Sequence, residues 1–439
     1  MAKKRILILG AGLAGLSVAW HLQRLGIDCV IFEKEAEAGG LCRSRKINGF
    51  VFDCSGHLLH FKHKYTFNLI QELLGRNSIR HKRSAWIYSY GRFSRYPFQA
   101  NLYGLPKSIV KDCLLGFINC QGDGSKIKED SSFRHWIDKT FGKGIARHFM
   151  VPYNTKFWTV PLKDLTCEWI DGFIPIPTLK QIIEGTVKES RKNLGYNAFF
   201  WYPKKGGISE ISKALAGQIK NIFKECEITK IDLIRKEIRF NGKQKERFDF
   251  LISTIPLPEM PRVLDRFPRD ITGPFKSLRW NSIFNLNLGI KRKLNNSWHW
   301  IYFPRKNFCF FRIGFPSNFS SYLSPSDKSS IYVEVSYSAD KPINRDNIVW
   351  RIKKDLKRAG ILNQEDQICL EDINDIKYGY PIYDVKYQQS KEKILQFLAK
   401  NNIISCGRYG SWRYMSMEDV ILDGKRVAEY LLEECLSKE

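Results

Sequence analysis

The N-terminal segment constrains the fold most strongly, because a short apolar run there leads into a glycine-rich turn. The run from Ile6 to Leu9 is short, branched and stopped by Gly10, which predicts a buried strand. Gly10, Gly12 and Gly15 fit the pattern G-x-G-x-x-G and open a stretch with helical apolar spacing. Gly10 permits a tight turn, Gly12 lets a pyrophosphate approach the backbone, and Gly15 lets the helix lie close to the strand.

An acidic residue follows at the spacing expected of a nucleotide-binding unit. A second predicted strand, residues 28–32, ends at Glu33, eighteen residues after Gly15. That carboxylate is placed to accept hydrogen bonds from the ribose hydroxyls of an adenosine. The combination predicts a dinucleotide site; the alternative is a glycine-rich turn without a ligand.

The residues after Glu33 favour one dinucleotide. Gly39-Gly40-Leu41-Cys42-Arg43-Ser44 and then residues 49–53 resemble the extension of FAD enzymes more than NAD dehydrogenases. FAD is therefore the predicted cofactor.

Length and targeting signals favour a multi-unit protein of the cytoplasm. At 439 residues the chain is expected to form two or three structural units. No stretch reaches the roughly eighteen uninterrupted apolar residues of a membrane span. The basic start superficially resembles a signal peptide, but it runs into the nucleotide-binding turn, which must stay in the mature protein. The eleven cysteines are scattered without metal-ligand spacing, which predicts a reducing compartment and no metal site.

The formal charge of +26, from 71 basic and 45 acidic residues, favours an anionic partner. The basic residues are spread along the chain without a basic arm, so we expect no nucleic-acid partner. An anionic small-molecule substrate or peripheral attachment to an anionic membrane explains the charge, and so would a generally basic proteome. The oligomeric state is left open.

The order of predicted elements indicates an α/β fold with interleaved domains. A Rossmann-like FAD-binding domain is predicted from residues 1–75, 201–265 and 385–439. A mostly helical insert is predicted at 76–200, and an antiparallel-sheet substrate domain at 266–384.

Two local predictions lie within the insert. Residues 80–95 alternate enough to suggest a hairpin. Residues 152–161, which begin and end with proline, are predicted to be irregular.

Ordered motifs along nearly the whole chain carry a resemblance to one family. They are Ser55-Gly56-His57, Tyr96-Pro97-Phe98-Gln99, Pro152-Tyr153-Asn154 with Lys156 and Trp158, Asn197, Tyr302-Phe303-Pro304 with Arg312, Gly379-Tyr380-Pro381, and Gly407 to Tyr414. In these the chain resembles the UDP-galactopyranose mutases, particularly the eukaryotic-type branch. That group lies within the amine oxidase/protoporphyrinogen oxidase-like FAD superfamily.

The resemblance implies a flavin-dependent isomerase of surface-polysaccharide biosynthesis. In that family N5 of reduced FAD attacks the anomeric carbon of a nucleotide sugar and displaces the diphosphate. The N5–sugar adduct opens and recloses, so that pyranose and furanose forms interconvert without net redox. The flavin must first be reduced, and Arg83 matches a position where eukaryotic-type members receive NAD(P)H.

The resemblance also implies three sets of site residues. The catalytic set would contact the diphosphate, the sugar or the isoalloxazine: His57, Asn197, Tyr302, Arg312, Tyr380 and Tyr414. The cofactor-binding set is Gly10, Gly12, Gly15, Glu33, Gly40, Arg43, Gly56, His57, Gly407, Arg408 and Met417. The substrate cleft would be lined by Tyr96, Gln99, Asn154 and Trp158.

The sequence neighbours of two arginines predict the surroundings of each side chain. Arg312 stands among Phe310, Phe311 and Ile313, where an unpaired charge is costly, so a specific anion partner is expected. Arg83 ends the basic run that begins at Arg80, which favours a solvated face.

Some positions depart from the mutase pattern. Phe173 occupies the place of a second diphosphate-binding arginine, a contact worth roughly 1.5–3 kcal/mol. Either a lysine such as Lys180 compensates, or the substrate differs. Glu418 and Asp419 follow Tyr414 where an asparagine often helps bind phosphate, and acids facing a diphosphate would repel it.

Two other functions therefore stay open. The first is an FAD-dependent oxidase or desaturase of the protoporphyrinogen oxidase or amine oxidase type, which the aromatic run Phe199-Phe200-Trp201 would suit. The second is a flavin-binding module without chemistry.

Overall fold

The computed structural model describes residues 4–121, 131–170, 172–190, 194–195 and 198–436. A parallel sheet and a largely antiparallel sheet dominate it, which confirms the predicted α/β class. The strands are β1 Ile6–Leu9, β2 Val30–Phe32, β3 Ser44–Ile47, β4 Phe50–Asp53, β5 Ser78–Lys82, β6 Ala85–Ser89, β7 Arg92–Arg95, β8 Phe199–Pro203, β9 Ile222–Phe223, β10 Ile228–Asp232, β11 Glu237–Phe240, β12 Gln244–Arg247, β13 Phe250–Ser253, β14 Trp280–Ile290, β15 Trp300–Tyr302, β16 Arg312–Gly314, β17 Ser329–Tyr337, β18 Ile368–Pro381 and β19 Ile403–Ser405. The helices are α1 Leu13–Arg24, α2 Lys64–Leu74, α3 Lys107–Gln121, α4 Phe133–Ile145, α5 Val151–Trp158, α6 Leu179–Val187, α7 Ser209–Ala216, α8 Met260–Val263, α9 Arg269–Ser277, α10 Ile348–Arg358, α11 Tyr387–Lys400, α12 Gly407–Gly410 and α13 Met417–Leu436.

The parallel sheet is assembled from three separated parts of the chain. Its strand order is β19-β13-β1-β2-β9, with β1 paired to both β13 and β2. All four residues of β1 are buried, as expected of a strand covered on both faces. The carboxyl ends of these strands meet the start of α1 and the loop after β19, which places the glycine-rich turn at one edge of the sheet.

The second sheet has the order β18-β14-β17-β16-β15-β6-β7. The hairpin predicted within residues 80–95 is β6 with β7, and β6 pairs in parallel with β15. The predicted insert, residues 76–200, thus contributes strands as well as helices. The domain boundaries given above stay predictions.

The helical part of the insert is tightly packed through glycines. A Cβ on Gly144 of α4 would lie 2.1 Å from the carbonyl oxygen of Asp112 in α3, so the two helices touch backbone to backbone. After α4, a π-helical turn at Ala146–Met150 leads directly into α5. The prediction of irregular structure is wrong for residues 152–158, because Pro152 stands in the first turn of α5, where its missing N–H costs no hydrogen bond. Residues 159–161 lie outside any helix or strand, as predicted.

His299, just before β15, makes the stability of this sheet sensitive to acid. Its Nδ1 accepts a 2.9 Å hydrogen bond from the backbone N–H of Ser84. Burial, and secondarily the nearby His81, lowers the pKa of His299 from 6.5 to about 3. The unfolded chain therefore binds a proton that the folded chain excludes. The stabilisation is complete above pH 6.5 and is lost as the pH falls towards 3.

We expect the free energy of unfolding to fall by up to about 1.4 kcal/mol per pH unit from this group alone within that window. Urea unfolding across the pH range measures it. The variant His299→Gln, whose side-chain oxygen can accept the same N–H, should flatten the profile. The exposed control His135→Gln should not, and equal profiles for both variants would contradict the account.

In the part of the chain that the structure describes, no helix has the length and apolar character needed to cross a membrane.

Candidate active site

The glycine-rich turn forms a cradle at the start of α1. Gly10 adopts φ +99° and donates its N–H to the Phe32 carbonyl oxygen over 2.8 Å, so the turn joins β1 to β2. A Cβ on Gly15 would lie 2.0 Å from the Gly10 carbonyl oxygen, which forces glycine there. Gly12 is the N-cap and offers no side chain to the first N–H groups of α1. These groups and the helix dipole suit a phosphate.

Two other glycine loops close the sides of this cradle. A Cβ on Gly40 would lie 3.1 Å from the Gly12 Cα atom, and one on Gly407 would lie 2.4 Å from the Ala14 Cβ. Arg43 holds the first of these loops, because its Nε donates to the Gly40 carbonyl oxygen over 2.7 Å. The loops at Gly12, Gly40 and Gly407 are therefore brought together at the start of α1, in close backbone contacts that side chains at Gly40 and Gly407 would block. The geometry fits a dinucleotide pyrophosphate.

Glu33 lies beside the turn and is buried. Its carboxylate accepts the backbone N–H of Ala11 over 2.6 Å and that of Glu35 over 3.0 Å. These bonds fix the carboxylate at the edge of the cradle. Its predicted contact with a ribose stays a prediction.

A row of polar side chains crosses the antiparallel sheet. Directly paired positions on β15, β16, β17, β14 and β18 place five residues in line, and we call them the polar row: Tyr302, Arg312, Glu334, Asn285 and Asn374. Paired residues share one face of a sheet. The row therefore presents a charged and hydrogen-bonding strip across the antiparallel sheet.

Arg312 and Glu334 form the centre of the polar row. Glu334 is 1% exposed, and its two oxygens accept from Nε and one terminal nitrogen of Arg312, the latter over 2.9 Å. The expected anion partner of Arg312 is thus a carboxylate of the protein itself. Glu334 was missed from the sequence, although an acid between Val333 and Val335 is an unusual choice for a buried strand.

The Ser55-Gly56-His57 loop rests on the same row. The Ser55 hydroxyl and the Gly56 N–H both donate to Glu334, and the Ser55 N–H donates to Asn285 over 3.3 Å. A Cβ on Gly56 would lie 2.4 Å from the Tyr332 hydroxyl, so only glycine fits. Burial lowers the pKa of His57, with Asp53 as the main opposing charge, so the imidazole stays neutral at neutral pH.

A run of aromatic rings includes Tyr302 of β15 and Tyr380 of β18 in the antiparallel sheet, and we call it the aromatic wall. Neighbouring rings lie with centroids 4.6–6.2 Å apart along Tyr96, Tyr302, Tyr153, Phe157, Tyr380, Tyr414 and Phe173. Burial raises the pKa of Tyr414 to about 12 and also raises those of Tyr96 and Tyr302. The hydroxyls therefore remain protonated donors near neutral pH.

Arg408 lies over the end of this wall. Its guanidinium carbon is 4.5 Å from the Tyr380 ring centroid and 4.9 Å from that of Tyr414. One terminal nitrogen donates to the Gly379 carbonyl oxygen over 2.7 Å. Its buried Nε has no acceptor among the residues that the structure describes. A cation with an unused buried donor is suited to a ligand anion.

Three predicted cleft residues are buried, and two have unused polar atoms. Gln99 donates through Nε2 to the Pro175 carbonyl oxygen over 2.6 Å, while Trp158 packs 4.7 Å from the Trp169 ring. Gln99 Oε1 and Trp158 Nε1 lack hydrogen-bond partners within the described chain. Asn154 instead donates to the Met150 carbonyl oxygen over 2.7 Å, which ties α5 to the π turn.

The position of Arg83 contradicts the predicted solvated face. It is 2% exposed, and its guanidinium carbon lies 4.8 Å from the centroid of the Tyr96 ring. A terminal nitrogen donates to the Leu194 carbonyl oxygen over 2.7 Å. The prediction of a solvated face is therefore wrong, because β5 turns this end of the basic run into the cleft.

Phe173 contacts a lysine other than the one suggested from sequence. The Lys62 ammonium lies 5.8 Å from the Phe173 ring centroid, and that ring packs 4.9 Å from Tyr414. Lys180, by contrast, is an exposed residue of α6. A cation thus stands beside the position where the mutases carry arginine.

The acids after Tyr414 are used within the protein. Buried Glu418 accepts the backbone N–H groups of Lys62 over 2.8 Å and His63 over 3.0 Å. Asp419 accepts the N–H and hydroxyl of Ser416 over 2.8 and 2.7 Å. The expected repulsion of a phosphate by Glu418 is therefore replaced by a contact that holds the Lys62 loop. Met417 begins α13 beside it, and Asn197 lies outside the described residues.

Comparisons with known proteins agree with this geometry. The profile of flavin-containing amine oxidoreductases matches residues 13–432. A crystal structure of reduced UDP-galactopyranose mutase superimposes with a TM-score of 0.94 and 27% identity, covering 98% of this chain and 94% of that one. A 1-hydroxycarotenoid 3,4-desaturase of Flavobacterium sp. is 22% identical over 85% of this chain and 84% of that protein.

A shorter match has higher identity. An inactive all-trans-retinol 13,14-reductase of Danio rerio is 36% identical over 62 residues, which span 14% of this chain and only a tenth of that protein. The family profile and the mutase structure both support FAD as the cofactor of the cradle. The chain belongs to the family of flavin-containing amine oxidoreductases.

Proposed function

We propose that this protein is an FAD-dependent nucleotide-sugar mutase that interconverts the pyranose and furanose forms of a UDP-linked sugar. The observation that carries the proposal is the polar row beside the aromatic wall, where Arg312 and Arg408 stand among tyrosine side chains. An apolar substrate would leave the unused Nε of Arg408 without an acceptor, whereas a diphosphate can accept from it and from the tyrosine hydroxyls. The similarity to a UDP-galactopyranose mutase supports the same proposal.

Bound in the cradle, reduced FAD would supply the nucleophile for the anomeric carbon. The residues of the chain would bind and orient the substrate against it. Tyr302, Tyr380 and Tyr414 would donate hydrogen bonds from their hydroxyls to the diphosphate, and Arg408 would donate one from its unused Nε. Neutral His57, held on the polar row through the Ser55 loop, would lie against the isoalloxazine.

Arg312 would orient the diphosphate more than it would add net positive charge to the site. Glu334 occupies Nε and one terminal nitrogen of its guanidinium, and we assign the other terminal nitrogen to the diphosphate. Because the carboxylate balances Arg312, the net positive charge for the leaving group must come from other cations. Arg408 is one of them.

Lys62 is the second cation in this proposal and stands in for the arginine that Phe173 replaces. Its backbone N–H is held by Glu418 over 2.8 Å, and its ammonium lies 5.8 Å from the centroid of the Phe173 ring. We expect Lys62→Ala to weaken UDP binding about tenfold, the loss of one charge-assisted contact of about 1.4 kcal/mol. Isothermal titration of the FAD-loaded protein with UDP measures it.

The matched control is Lys64→Ala, the neighbouring exposed lysine in the first turn of α2. It removes the same charge and should leave affinity unchanged. A rescue sharpens the test: Phe173→Arg added to Lys62→Ala should restore most of the lost affinity. Equal losses in both lysine variants, or no rescue, would show that Lys62 is not the compensating cation.

The reductant, location and pathway are further parts of the proposal. NAD(P)H would reduce the flavin, and Arg83 beside Tyr96 is the cation that we assign to its phosphates. The eleven free thiols suit the reducing cytoplasm. The product would feed surface-polysaccharide synthesis, in keeping with the mutase resemblance.

A redox enzyme is the second candidate, and the aromatic wall favours it. The ring of Phe173 and the wall from Tyr153 to Phe157 would also suit an apolar substrate, and one relative is a carotenoid desaturase. The two functions differ in what the substrate does to oxidised flavin. We expect UDP to perturb the visible flavin spectrum anaerobically without bleaching it. Bleaching of the flavin by an amine, a porphyrinogen or a carotenoid, without a response to UDP, would favour the redox function instead.

A further inference from the structure

An open apolar groove, whose described lining includes none of the proposed active-site residues, lies between α3, α6 and the loop before α3. It has a volume of about 540 Å³ and is lined mainly by Tyr103, Val110, Leu114, Leu115, Ile118 and Thr186. Tyr103 is 53% exposed and Leu115 49% exposed, while Val187, next to Thr186, is 72% exposed. Such a patch exceeds the scattered apolar residues of an ordinary protein surface.

The groove faces outwards because the opposite face of α3 is already packed. Cys113 and Phe117 are buried, and a Cβ on Gly116 would lie 2.6 Å from the Gly144 nitrogen of α4. The helix therefore cannot rotate to hide Leu114, Leu115 and Ile118. Their spacing keeps them on one rigid outer stripe.

The charges at the groove select its partner. Lys107 and Lys111 belong to its lining, and none of the lining residues that the structure describes is acidic. A two-fold contact between copies would bring these lysines near one another, and the formal charge of +26 opposes such self-association. Leucine and isoleucine beside lysine on a helix surface match the chemistry of an anionic bilayer surface.

We propose that this groove is a docking surface for an anionic phospholipid bilayer. The apolar stripe of α3 enters the boundary between headgroups and acyl chains, and Lys107 and Lys111 contact lipid phosphates. The helix lies in the plane of the membrane surface and does not span it. This attachment is independent of the proposed mutase reaction.

Co-sedimentation of the full FAD-loaded protein with vesicles tests the proposal. Binding is expected to vesicles that contain phosphatidylglycerol and not to vesicles of phosphatidylcholine alone. Lys107→Ala with Lys111→Ala should weaken binding about 30-fold, which corresponds to about 1 kcal/mol per lysine. Leu115→Ser with Ile118→Ser should weaken it at least about tenfold.

Matched controls remove exposed lysines and exposed apolar side chains outside the groove. Lys393→Ala with Lys400→Ala removes two exposed lysines of α11, and Ile234→Ser with Val385→Ser removes two side chains that are 70% and 84% exposed. Both should bind like the parent protein, with flavin content as the check on folding. The proposal would be overturned if the control variants lost as much vesicle binding as the groove variants, or if the parent protein showed no preference for anionic vesicles. So would a dimer in analytical ultracentrifugation that Leu115→Ser with Ile118→Ser dissociates, because a second copy would then occupy the groove.

Discussion

Replacing Glu334 with alanine is expected to lower the free energy of unfolding by about 3–5 kcal/mol, the cost of leaving one partner of a buried ion pair uncompensated. Glu334 is 1% exposed and accepts bonds from Arg312, from the Ser55 hydroxyl and from the Gly56 N–H. The substitution therefore leaves the partly buried cation of Arg312 without its carboxylate partner and releases the loop that carries His57. Urea unfolding at neutral pH measures the stability change, and the visible flavin spectrum reports on the loop.

A double-mutant cycle separates the ion pair from the loss of packing. Arg312→Met with Glu334→Ala should be less destabilised than the sum of the two single variants, by about 1–3 kcal/mol, because no charge is left buried. Glu334→Gln keeps the shape and part of the loop contacts, so it should fall between parent and alanine variant. Strict additivity in the cycle would contradict the pairing at the centre of the polar row.

Replacing Gly15 with alanine is expected to abolish FAD binding and to cost about 1–3 kcal/mol of stability. The added Cβ would lie 2.0 Å from the Gly10 carbonyl oxygen and 3.2 Å from a methyl carbon of Ile8. Helix α1 must then move away from β1, and its N-terminus leaves the phosphate position. The flavin-to-protein ratio after purification measures the loss of cofactor.

Gly273 provides the matched control, since it lies within α9 and a Cβ there would meet no atom within 4 Å. Gly273→Ala should retain full flavin and change stability little, because the following Pro274 disfavours the helical conformation of a residue with a Cβ and offsets the gain in helix propensity. Equal flavin contents in the two alanine variants would contradict the assigned geometry of the cradle.

The nucleotide half of the site was predictable because its determinants are local in sequence. Gly10, Gly12, Gly15 and Glu33 lie within one strand–turn–helix–strand unit, where glycine is required by contacts with near neighbours. The structure places them as the pattern predicts. The loops of Gly40 and Gly407 followed from the family resemblance, and the structure adds that Gly407 is forced against Ala14.

The substrate half was less predictable because strand register decides it. Arg312 and Glu334 meet only through the pairing of β16 with β17, which no local pattern specifies. The basic run before Arg83 resembles a solvated surface, but β5 turns its last residue inwards. The long strand β18 was not predicted at all, because acids at Glu371, Asp372 and Asp375 mask its alternation.

The most direct test of the proposed function is turnover by the reduced holoenzyme. The protein carrying FAD is reduced chemically without oxygen, supplied with UDP-galactofuranose, and its products are separated by chromatography, with oxidised enzyme as the control. The account predicts UDP-galactopyranose from the reduced sample and none from the oxidised one. Intact, reduced flavin with no isomerised product and no UDP binding would contradict the nucleotide-sugar mutase assignment.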